Sequence, residues 1–81
     1  MQGGIVELDL HGKNLYQARV AVDAALRRAG GGVYRLRLIH GYHGGTALRD
    51  MLRQEYAAHP RVLRIETMAG PGETQLVLRE F

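Results

Sequence analysis

The sequence predicts an α/β two-layer sandwich of order β-α-β-α-β-β, with a mixed four-stranded sheet and both helices on one face. Three observations predict it. Apolar residues alternate with a period of two in four short segments. Two segments between the first three of these carry apolar residues at helical spacing. The length of 81 residues fits a single domain with one modest core over about residues 5–80.

The elements follow in order. Val6, Leu8 and Leu10 mark a half-buried first strand. Asn14 is placed to cap a helix, with Gln17 completing a capping box. Leu15, Ala18, Val22, Ala25, Leu26 and Ala29 form its expected apolar face, and Gly30-Gly31-Gly32 stops it. The second strand spans about Val33–Ile39, with Leu36 and Leu38 on one face and Arg35 and Arg37 on the other. A loop covers Gly41–Gly45. Thr46 is the expected N-cap of a second helix with an apolar stripe of Leu48, Met51, Leu52 and Tyr56. His59-Pro60 ends it, because the residue before proline leaves the helical region. The third strand is expected over Val62–Thr67, a turn over Ala69–Glu73, and the last strand over Thr74–Arg79.

Right-handed crossovers on one face must step in one direction, so the first three strands progress across the sheet. Leu76-Val77-Leu78 is apolar on both faces, which favours an inner position for the last strand and the order 1-2-4-3.

Composition narrows the function. There is no cysteine, hence no disulfide framework and no thiolate metal site. No apolar run is long enough to span a bilayer, and no signal pattern opens the chain. A soluble cytoplasmic protein, monomeric and without a membrane role, is expected. The net charge is +3, carried by ten arginines and one lysine, Lys13. Arginine suits bidentate phosphate contact, but a charge this small is not the footprint of a dedicated duplex-DNA binder.

The first two strands both end in His-Gly, at His11-Gly12 and His40-Gly41. Parallel neighbours would open both ends at one edge, where ligands bind in such sheets. Asp9, His11 and His40 are the candidate catalytic residues. Two imidazoles can share acid and base roles, with Asp9 orienting one of them. Lys13, Arg35, Arg37, Gly41, Tyr42, His43, Gly44, Gly45 and Arg49 are candidate nucleic-acid contacts. Among them, Tyr42 offers a ring for base stacking and Gly44-Gly45 offers backbone amides ahead of a helix. No metal ligand set is assigned and the cofactor is left open. A divalent ion held by Asp9 with one or both histidines is an alternative way to activate water.

Leu8-Asp9-Leu10-His11-Gly12, followed by His40-Gly41, a Gly-rich loop and Thr46-Ala47-Leu48-Arg49, resembles the Smr (Small MutS-Related) domain family. The resemblance runs from about Glu7 to Arg79. It implies a fold similar to the C-terminal domain of translation initiation factor 3. It also implies nucleic-acid binding, with endonuclease activity on RNA or DNA, and maps the Asp-x-His motif onto Asp9 and His11. The second motif departs from the family's His-Gly-x-Gly-x-Gly. In the family that stretch leads directly into Ala-Leu-Arg; here it reads His40-Gly41-Tyr42-His43-Gly44-Gly45-Thr46 before Ala47-Leu48-Arg49, one residue longer, with His43 where the second glycine is expected. The alternative expectation is a non-catalytic module that binds nucleic acid or the ribosome.

Overall fold

The period-two segments pair as one sheet. In the computed structural model, which describes residues 4–41, 46–67, 70 and 72–80, β1 (Ile5–Asp9) lies parallel to β2 (Arg35–Ile39). β4 (Glu73–Val77) is antiparallel to both β2 and β3 (Arg64–Glu66). The strand order is β1-β2-β4-β3, as the apolar inner strand requires. Val77 and Leu76 are fully buried and Leu78 nearly so.

Helix α1 (Leu15–Arg28) opens with the expected capping box. The Asn14 carboxamide oxygen accepts from the Gln17 amide at 2.8 Å, and Gln17 Oε1 accepts from the Asn14 amide at 3.0 Å. At the far end, the Arg61 guanidinium donates to the carbonyl of Leu26, which also accepts from the Ala29 amide at 3.4 Å, and to the carbonyl of the C-cap residue Ala29. Helix α2 (Ala47–Tyr56) is tied to α1 by Tyr56, whose hydroxyl donates to Asp23 Oδ1 at 2.7 Å. Burial, and then this bond, push the Tyr56 phenol above its ordinary pKa.

The core lies between helices and sheet. Leu10, Leu36, Leu38 and Leu76 meet Ala18, Val22 and Leu26 from α1 and Met51, Leu52 and Tyr56 from α2. Fully burying one such leucine contributes roughly 1.5–3 kcal/mol.

Three expectations are corrected. β3 is only three residues long: the Val62 amide still donates to the His59 carbonyl in the turn after Pro60, and only from Leu63, whose amide reaches the Val77 carbonyl at 2.7 Å, does the chain meet β4. Leu15 does not join the core and is 43% exposed. Thr46 occupies the N-cap of α2, but its hydroxyl donates to the Asp50 carboxylate at 2.9 Å instead of capping the helix.

Among the described residues, no helix is long and apolar enough to cross a membrane.

Candidate functional site

The two His-Gly ends do meet at one edge. The β1–β2 register sets Asp9 beside Ile39, and the Leu10 amide continues the pairing to the Ile39 carbonyl at 2.7 Å. Both glycines turn the chain with positive φ, +79° at Gly12 and +73° at Gly41. L-residues with a Cβ rarely adopt this conformation. A Cβ at Gly41 would lie 3.7 Å from His11 Cβ, so the two ends are in direct proximity.

Their side chains diverge. Leu36, Leu38 and His40 share the parity that points into the helix layer, whereas Glu7, Asp9 and His11 share the opposite one. His40 is accordingly 6% exposed. Its Nδ1 donates to the Gly41 carbonyl at 2.8 Å, an atom that can only accept. In the neutral ring, Nε2 then accepts from the Thr74 hydroxyl at 2.9 Å. Both nitrogens are committed. The amides of His40 and Gly41 donate to the Gly72 carbonyl at 2.9 and 3.0 Å, which pins the end of β2 to the turn before β4.

His11 stands in water instead. Its Nδ1 is 2.6 Å from Asp9 Oδ1, with side chains 72% and 58% exposed respectively. The same carboxylate oxygen accepts from the His11 amide at 3.1 Å. The imidazole hydrogen bond, then the amide, hold the Asp9 carboxyl below its ordinary value of 3.8. An ionised carboxylate can only accept, so Nδ1 carries a proton and the neutral ring leaves Nε2 free to accept. Asp9 thus orients His11, and a free basic nitrogen faces solvent at the strand edge.

Lys13 is exposed beside this dyad, and its side-chain ammonium makes no hydrogen bond or close ion pair among the described residues. The other basic candidates are engaged. Arg35 pairs with Glu66 and donates to Gln75 at 3.1 Å. Arg64 also holds Glu66, at 2.7 Å, and pairs with Glu80. Arg37 reaches Glu7 at 3.4 Å, its register neighbour on β1. Three guanidiniums therefore face three carboxylates, and these ion pairs are locally neutral. Arg49 lies 3.3 Å from Asp50. Tyr42, His43, Gly44 and Gly45 lie outside the described residues.

Among the described residues, no group of three or more His, Cys, Asp or Glu is gathered to hold a metal ion. The sequence reading missed Thr74 as the partner of His40. Thr74 is a fully buried polar residue facing Leu38 across the ladder, and an isolated threonine in an apolar strand was its only signal.

The Smr domain family model matches residues 8–74. Among solved structures, the chain is similar to the Smr domain of Thermus thermophilus MutS2, known from a crystal structure. The two are 36% identical, with a TM-score of 0.80, and the match covers 93% of this chain and 99% of that one. Comparison with curated proteins gives no match.

Proposed function

We propose that this chain, which belongs to the Smr domain family, binds nucleic acid at the β1–β2 edge and cleaves a phosphodiester there with His11 as general base. The observation that carries this reading is the Asp9–His11 pair: a 2.6 Å contact, an exposed ring and a free Nε2. His11 would take the proton of the attacking hydroxyl, from water or an RNA 2′-OH. As the new O–P bond forms, the ester P–O bond breaks. The leaving oxygen then recovers a proton from the imidazolium or from water. Asp9 stabilises the charge that His11 gains. Lys13 would supply charge to the phosphate. In this reading His40 is a positioning residue: its ring holds Gly41 and β4 in place and does not touch substrate. The setting proposed is cytoplasmic and monomeric, with RNA favoured over DNA.

The second reading is a non-catalytic binding module. The occupied nitrogens of His40 favour it, because they leave one free imidazole where acid and base catalysis would use two.

Labelled RNA and DNA incubated with purified protein, with added divalent metal or with EDTA, beside His11→Ala, separate the two readings. Cleavage that disappears in His11→Ala supports the enzyme, and the EDTA arm shows whether a divalent ion takes part. Equal residual cleavage in both proteins would mark contamination and sink it. Binding retained by His11→Ala without any cleavage in the parent protein supports the module.

A further inference from the structure

We propose that Tyr16, on the first turn of α1, is a stacking platform for an unpaired nucleobase, with Lys13 on the adjoining phosphate. The edge site would then select single-stranded segments. The inference rests on the nucleic-acid reading above and names the form of nucleic acid that the site takes.

Four large apolar side chains are exposed among the described residues, and three of them, Leu15, Tyr16 and Val20, fall within the first six residues of α1. Scattered apolar side chains on a surface are ordinary, but a cluster marks an interaction site. Tyr16 is the most open of the four at 71% exposed, and its hydroxyl has no partner among the described residues. Val20 lies four residues on, so it shares the helix face of Tyr16 and widens the platform. Helical side chains lean toward the helix N-terminus, which tilts the Tyr16 ring toward the dyad end of the helix.

The chain path bounds the separation: the Cα atoms of Lys13 and Tyr16, three residues apart, lie within about 11 Å of each other. The Lys13 amide donates to the Leu10 carbonyl at 3.1 Å, folding the chain back directly after His11. The dyad, Lys13 and Tyr16 therefore follow within eight residues of one tight turn and helix start. That spacing suits a phosphate at His11 with its neighbouring base on Tyr16. Charge agrees: Lys13 is a cation without a close partner, and the first turn of α1 holds no acidic residue. An aromatic face beside a cation matches a base beside a phosphate. A paired base inside a duplex has no free face for the ring, so discrimination against duplexes follows.

The test is a fluorescence-anisotropy titration of a labelled single-stranded RNA 12-mer and of the same sequence as a duplex. Wild type, Tyr16→Ala and Tyr16→Phe are compared at one low salt concentration. Tyr16→Ala should weaken single-strand binding about tenfold or more and leave duplex binding within about twofold, with Tyr16→Phe close to wild type. Unchanged single-strand affinity in Tyr16→Ala, equal losses on both probes, or Tyr16→Phe failing like Tyr16→Ala would overturn the stacking role while nucleic-acid binding stands. So would a wild-type dimer in sedimentation that Tyr16→Ala dissolves without any effect on RNA. A wild-type protein that binds neither probe would overturn both the inference and the reading beneath it.

Discussion

His40 Nε2 lies 2.9 Å from the Thr74 hydroxyl, in the buried layer between the sheet and the helices. This bond joins the end of β2 to β4 just behind the residues that face solvent. Removing the hydroxyl in Thr74→Val leaves a ring nitrogen buried without its partner. Such a group costs about 1–3 kcal/mol. For a domain of this size, each kcal/mol shifts Tm by about 4–8 °C. Thermal unfolding should therefore show a clear drop in Tm for Thr74→Val. An unchanged Tm would mean that the bond contributes nothing.

Arg35→Ala and Lys13→Ala should behave differently. Arg35 is spoken for by Glu66 and Gln75, whereas Lys13 is open beside the dyad. Lys13→Ala should weaken binding to all sequences and reduce the salt slope of the affinity by about one. Arg35→Ala should chiefly affect stability. Titrations at several salt concentrations check this, and a larger affinity loss from Arg35→Ala would reverse the assignment.

The Glu66 carboxyl is held below its ordinary value of 4.5 by Arg35 first and Arg64 second. A depressed carboxylate contributes stability that is fully present above its unfolded value. That contribution is lost as pH falls through the lower folded value. Denaturation followed from neutral pH downward should therefore show stability falling below about pH 4.5, with a shallower fall in Glu66→Gln. Identical acid profiles for the two proteins would contradict the pairing.

Gly12 and Gly41 turn the chain at positive φ. Alanine at either position should cost about 1–2 kcal/mol in backbone strain. At Gly12 the new methyl meets open space, whereas at Gly41 it makes ordinary van der Waals contact with His11 Cβ at 3.7 Å. Both variants should unfold at lower denaturant concentration. Gly41→Ala should also slow any His11-dependent cleavage more than Gly12→Ala does.

Much of the fold was legible because it rests on local periodicity and one topological rule. The capping box at Asn14 and Gln17, the apolar strand at Leu76–Leu78 and the adjacency of the two His-Gly ends could each be read from residue type and spacing. The divergence of the two histidines was legible too, since alternation along β2 gives His40 the parity of Leu36 and Leu38. What local reading does not supply is pairing at long range. Thr74 is distant in sequence from His40, and Glu66 is distant from Arg35, so the fate of those polar groups depends on the assembled sheet. Thr46 shows a nearer competition: an acceptor one turn along, at Asp50, takes the hydroxyl that would have capped the helix.

The most direct measurement of the central claim is the single-turnover cleavage rate of Asp9→Asn, with protein in excess over a labelled RNA that the wild type cuts. Asparagine keeps the size of the side chain and removes the charge that fixes and stabilises the His11 ring. The expected cleavage rate is lower by about tenfold or more, within the range general-base catalysis supplies, with RNA affinity retained. A wild-type rate in Asp9→Asn would contradict it, because the 2.6 Å contact between Asp9 and His11 would then have no part in the chemistry.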